Sequence, residues 1–216
     1  MSNANPQKGF DDLEPLKIGC KKTHCNAGLH CFQPKHRGAD GNSGPCQNCG
    51  AELVEWDRVH QRDPQDINYL LARMSTEWIR HHYWCKVSYD KEALVRARVA
   101  GRRRLNTWML KRLATTIGGP ADDFDWQGTP YEGHVVFYAQ HATATCCRAC
   151  VEEWHGIPPN RDLTDREMQY MVLLVNSYFA RFPIPGLTEE GENRQAVRKS
   201  LGLPPAIPKK RKAVSA

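Results

Sequence analysis

Three cysteines, three histidines and two glutamines crowd the stretch from Trp126 to Ile157, WQGTPYEGHVVFYAQHATATCCRACVEEWHGI. Cys147 and Cys150 stand three residues apart and Cys146 and Cys150 four, so on a helix Cys150 shares a face with either neighbour. Thiols at that spacing can ligate zinc or an iron–sulfur centre, and thiolates at a helix N-terminus can act directly in redox chemistry. Two thiols cannot close a tetrahedral site, so a distant residue must contribute, and His82 or Cys85 at the far end of an earlier helix is the expected source. Gln127, His134, Gln140 and His141 add polar groups that can hold a substrate. Just upstream, Asp122, Asp123 and Asp125 offer carboxylates for general-base work, cation binding or support of a cationic transition state. A pair of adjacent aspartates is as readily a surface loop.

A second constellation lies near the N-terminus. Cys46-Gln47-Asn48-Cys49-Gly50 has the form of a zinc knuckle, two sulfurs turned toward one ion by a tight turn that the following glycine tolerates. Five cysteines compete for four places. Cys25 and Cys31 are the preferred partners, then Cys20, with His30 as a further choice. Residues 17 to 50 carry few apolar side chains, so metal binding would stand in for a core. Nine cysteines without an export signal point to metal rather than disulfides.

The third feature is a run of cations. Between Glu92 and Asp122 no acidic residue occurs, while Arg96, Arg98, Arg102, Arg103, Arg104, Lys111 and Arg112 crowd the interval. Surface charge usually mixes signs; seven cations without counter-charge repel one another unless a polyanion neutralises them. The net charge of +6 and pI near 8.9 agree with an acidic partner, nucleic acid first and DNA in particular.

The elements that must position these groups are mostly helical. Asp63-Pro64 opens a first long helix whose apolar face reaches Trp84. Asp90 caps a second helix over 91–100, which Gly101 separates from a third over 102–116. Val135 to Ala139, β-branched and aromatic after Gly133, predicts a short strand, with a helix over 143–155 ended by Gly156. Thr164 and Glu167 form a capping box for a further helix that stops before Pro183. The fold class expected is mainly α with a short β hairpin, preceded by the zinc-knuckle-type module. The divisions are a disordered N-terminus 1–16, the cysteine-rich module 17–56, a helical core 57–183, and a C-terminal extension with a basic tail 184–216. No apolar run is long enough for a membrane span, so a cytoplasmic protein without a membrane partner is expected.

Gln127, Thr129, Pro130, Gly133 and His134, then AQHATATCCRAC, then Trp154-His155 and Ile157-Pro158, resemble the signature of a small bacterial family catalogued only as a domain of unknown function. That resemblance implies no activity. The residues themselves leave three classes open. One is an enzyme acting on nucleic acid, with cleavage of an N-glycosidic bond favoured: the arginine helix grips phosphates while the carboxylates and polar elbow handle a base. Another is a nonenzymatic zinc-containing module that binds nucleic acid. The last is a thiol or iron–sulfur redox enzyme built on Cys146, Cys147 and Cys150 with Cys85.

Overall fold

A computed structural model describes residues 19–33, 44–121 and 128–206. Asp122, Asp123, Asp125 and Gln127 lie outside the described residues, as do the two termini. Among the described residues regular structure is helical, and β pairing is confined to isolated bridges, His24 with Leu29 and His30 with Glu77. The expected hairpin is therefore corrected. The Val135 segment is a helix, α5 (Val135–Ala142), whose N-terminus is capped by the His134 ring: Nδ1 accepts from the backbone N–H of Val136 at 3.2 Å. Valine and tyrosine favour strands only weakly, and here burial decides. Val135, Val136, Tyr138, Ala139, Gln140, His141 and Ala142 are all buried, the pattern of a helix enclosed on every side.

In chain order the helical elements of the core begin with α1 (Trp56–Val59) and a turn of 3₁₀ helix, Pro64–Asp66, where Asp63 accepts from the Gln65 amide. The long helix expected from there breaks. α2 (Ile67–Met74) ends, α3 (Trp78–His81) begins after a gap, and it continues as a π-helical segment, His82–Lys86. The gap is where the N-terminal segment docks, because the His30 amide donates to Thr76 and the His30 carbonyl accepts from the Trp78 amide. Backbone groups freed by ending one helix are thus satisfied by a distant stretch of chain.

α4 (Lys91–Leu113) is capped by Asp90, which accepts from the Ala93 amide at 2.8 Å, and it kinks at Gly101, φ 73° and ψ 165°. The kink is filled by the segment 188–192: the Arg102 amide donates to Thr188 and the Glu192 amide donates to Arg98, both at 2.9 Å. α4 then passes into a π-helical turn, Ala114–Gly118. α6 (Arg148–His155) ends at Gly156 in the left-handed conformation. α7 (Asp165–Arg181) opens with the expected capping box of Thr164 and Glu167, and α8 (Arg194–Ser200) is capped by Asn193. α5 contacts α3, α4, α7 and the π segment after α3, so the elbow is the centre of the molecule. No described helix is long and apolar enough to cross a membrane.

Candidate metal centres

Among the described residues, two groups of side chains could hold metal ions. In the first, ligand atoms of Cys25, His30, Cys46 and Cys49 all lie within 4.8 Å of one another. The Cys25 and Cys46 sulfurs are 3.8 Å apart, and the Cys49 sulfur is 3.4 Å from His30 Nδ1. A tetrahedral zinc with bonds of about 2.3 Å to sulfur and about 2.0 Å to nitrogen requires edges of about 3.8 and 3.5 Å, so these two separations match the edges of a tetrahedral site. Backbone geometry prepares the site. The Gly50 amide closes the knuckle onto the Cys46 carbonyl, and the bridge to residues 76–78 fixes His30. Burial opposes ionisation of Cys46, but hydrogen bonds from the backbone at Cys31, Cys49 and Asn48 outweigh it and bring the thiol down to about 6. Cys31, the favoured partner on spacing, does not join this group. Its buried thiol donates to the Cys20 carbonyl at 3.3 Å, and burial beside Glu77 pushes it up to about 12.

The second group is Cys146, Cys147 and Cys150, whose sulfurs also lie within 4.8 Å of one another. Its setting was not legible in the sequence. Arg80, fully buried, donates to the Cys150 sulfur at 3.0 Å and approaches that of Cys146 at 3.7 Å, while also donating to the His141 carbonyl at 2.6 Å. Glu77, equally buried, accepts from Arg80 Nε at 3.1 Å and from Trp154 Nε1 at 2.8 Å on one oxygen; its other oxygen has no hydrogen-bond partner among the described residues. An arginine and a glutamate three residues apart in an apolar helix were the available signal for this cage. The hydrogen bond with Cys146 and burial push Cys147 up to about 12, so a metal entering here must displace protons. Cys85 lies elsewhere. It is exposed and lines a cavity of about 400 Å³ with Trp84, Tyr89, Arg181 and Phe182. His82 is buried and held down to about 4 by burial and by His81.

The polar residues of the elbow divide. His141 is sandwiched between the rings of Tyr83 and Tyr131, centroids 5.1 and 4.9 Å away, and its Nε2 donates to the Thr129 and Pro130 carbonyls. Burial, then the Arg80 charge, hold it down to about 4, so it is neutral. Gln140 donates to the Thr145 carbonyl at 2.9 Å and braces the turn before the cysteines. His134 faces the other way: its ring stacks on Trp108 with centroids 3.7 Å apart, and burial, then Arg96 and Arg112, lower it to about 4.

The seven cations divide too. Arg98 pairs with Glu192 at 2.7 Å, Arg102 with Glu189 at 2.7 Å and Arg103 with Glu190 at 2.9 Å, all on the segment that fills the kink. The counter-charges missing from the local sequence come from ninety residues away. Arg96, Arg104, Lys111 and Arg112 have no ion pair of this kind with that segment. Arg112 lies over the Phe137 ring and donates to Thr129, and Arg96 approaches Gly133, so both flank the start of α5.

Fold and sites together define an all-helical protein, among its described residues, with two cysteine-based groups suited to metal. Residues 68–180 match the family described as a domain of unknown function (DUF4186), and the chain belongs to that family. The first group lies before the matched region and the second inside it. No solved structure matches the chain.

Proposed function

We propose that this is a metal-stabilised protein that binds nucleic acid, with its metal centres structural and its contact face on the second half of α4. The observation that carries the reading is Trp108, which keeps 37% of its surface exposed while His134 stacks against it. Arg104, Trp108, Lys111 and Arg112 follow one another at helical spacing, and Arg96 joins them near Gly133. A rigid exposed indole among cations is the arrangement on which an unpaired base stacks while its phosphates are neutralised. DNA remains the favoured polymer.

Base excision has less support. Its proposed carboxylates Asp122, Asp123 and Asp125, and Gln127, lie outside the described residues, and Gln140 and His141 are committed to bracing the elbow. A thiol or iron–sulfur redox reading draws on one observation, the Arg80 contacts to Cys146 and Cys150. The absorption spectrum of the purified protein separates it: an iron–sulfur centre is coloured, zinc is not.

Fluorescence anisotropy with a labelled single-stranded oligonucleotide tests the binding reading. Four phosphate contacts predict a slope of log affinity against log salt of about −3. Replacing Trp108 with alanine should cost about 1–3 kcal/mol, a five- to 150-fold loss. Affinity that is indifferent to both salt and Trp108→Ala would remove this face from the function.

A further inference from the structure

We infer that the first metal group is a latch: an ion held by Cys25, His30, Cys46 and Cys49 keeps residues 29–33 closed as a lid over the buried Glu77–Arg80 pair and the elbow thiols. The inference rests on the reading of that first group as a metal site, and it does not require the elbow to hold a metal of its own.

His30 belongs to both halves of the device. Its ring nitrogen Nδ1 stands 3.4 Å from the Cys49 sulfur, while its backbone is bonded to the core twice, the N–H donating to the Thr76 carbonyl at 2.8 Å and the carbonyl accepting from the Trp78 N–H at 3.0 Å. Those two bonds bracket Glu77. Glu77 accepts from Arg80, and Arg80 donates to the Cys150 sulfur at 3.0 Å, so the seam reaches the elbow in two steps. The residues around His30 cover the same ground. Leu29, His30, Cys31 and Phe32 are buried, the Phe32 ring meets those of Trp154 and Trp56 edge-on at 5.8 and 5.7 Å, and Gln33 Nε2 reaches the Cys150 sulfur at 3.9 Å.

What lies beneath the lid opposes its closure. Glu77 and Arg80 are fully buried and one Glu77 oxygen has no hydrogen-bond partner among the described residues, so closure carries a desolvation cost that water would relieve on opening. Apolar packing offers little against it, because Leu29 and Phe32 are the large apolar side chains across residues 19–33 and 44–50. Metal makes up the difference: fixing the His30 ring in the ligand set also fixes the backbone that carries the two core bonds. The linkage is reciprocal. Whatever factor the docked core adds to metal affinity, the metal adds to the closed lid.

The test compares the full chain loaded with zinc and stripped by a chelator. Hydrogen exchange, read by mass spectrometry, should be at least about fivefold slower at the His30 and Trp78 amides in the loaded protein, the low end of couplings between sites, and unchanged in α7. Iodoacetamide should alkylate Cys150 correspondingly more slowly relative to Cys85. Cys49→Ser, which removes an exposed ligand and leaves the His30 backbone intact, should return exchange at both amides to the stripped rate even with zinc present. Phe32→Leu, which removes only the lid's ring contacts, should weaken zinc binding about two- to tenfold. Zinc that binds without slowing exchange at His30 and Trp78 would overturn the latch and leave the metal site standing, and so would an unchanged zinc affinity in Phe32→Leu. Exchange that rises equally in α7 on stripping would also overturn it, since zinc would then hold the whole fold rather than a lid. A parent chain that binds no zinc, or a Cys49→Ser chain that binds it as the parent does, would overturn the metal reading of the first group and the inference with it. Should Cys49→Ser fail to fold, the loaded and stripped parent still decide.

Discussion

Replacing Gly101 with alanine should destabilise the fold by about 4 kcal/mol. The residue sits at φ 73°, ψ 165°, a conformation essentially reserved for glycine, and a side chain held there costs about 1–3 kcal/mol. An added Cβ would also lie 2.6 Å from the Glu190 carbonyl carbon and the Gly191 nitrogen and 2.8 Å from the Glu189 oxygen. All three are backbone atoms, so the segment must retreat rather than a side chain turn aside. Retreat loosens the Arg102–Thr188 and Glu192–Arg98 hydrogen bonds, each worth about 0.5–1.5 kcal/mol net. The sum is roughly 2–6 kcal/mol, which for a chain of this size lowers the melting temperature by about 2–4 °C per kcal/mol, or roughly 8–16 °C at the middle of the range. Urea titration and thermal melts followed by circular dichroism measure it. A midpoint within about 0.5 kcal/mol of the unaltered protein would mean that the kink and the segment filling it do not constrain one another, and the reasoning would fail.

Three further outcomes are expected. His134 and His141, held down to about 4, and His155, held down to about 3, are all lowered first by burial, so each stabilises fully above the ordinary value of about 6.5 and loses that contribution as pH falls toward the folded value. At pH 5 each has lost up to about 2 kcal/mol; urea midpoints at pH 7 and pH 5 should differ accordingly, and equal midpoints would contradict the buried neutral state. Glu167, drawn down to about 2 chiefly by its paired hydrogen bonds from Arg161, contributes above about 4.5 and loses that contribution as pH falls toward 2; because Arg161 is exposed, Glu167→Gln at pH 7 should cost only about 1–2 kcal/mol, with the gap to the parent narrowing below pH 4. Arg80→Met should cost about 3–5 kcal/mol by stranding Glu77, and Arg80→Met combined with Glu77→Gln should recover part of it in a double-mutant cycle.

Much of the frame was legible because it is local. Asp63, Asp90 and the Thr164–Glu167 pair are side chains bonding to backbone within three residues, and all cap where their types and spacing indicate. Val135–Ala139 was misleading because the same residues suit a strand or a fully enclosed helix, and only the surrounding helices distinguish the two. The knuckle was plain at Cys46 and Cys49, yet the choice of His30 over Cys31 depends on docking against residues 76–78, which no local pattern reveals. Distance also hid the counter-charges: Glu189, Glu190 and Glu192 reach Arg102, Arg103 and Arg98 only once the chain has returned. The Arg80 cage joins α3 to the cysteine elbow more than sixty residues on, so its chemistry belongs to the assembled core alone.

The seam where Gly101 meets Gly191 bears on where the physical boundary of this protein falls. The family match stops at residue 180, but the groove in α4 is completed by what comes after it. A shortened chain stopped at residue 183 would keep every matched residue and still lose three backbone hydrogen bonds in mid-helix. It would also set free three positive charges on an already basic surface. Such a truncation should be less soluble and more adhesive to polyanions than the parent, for reasons unrelated to any designed recognition.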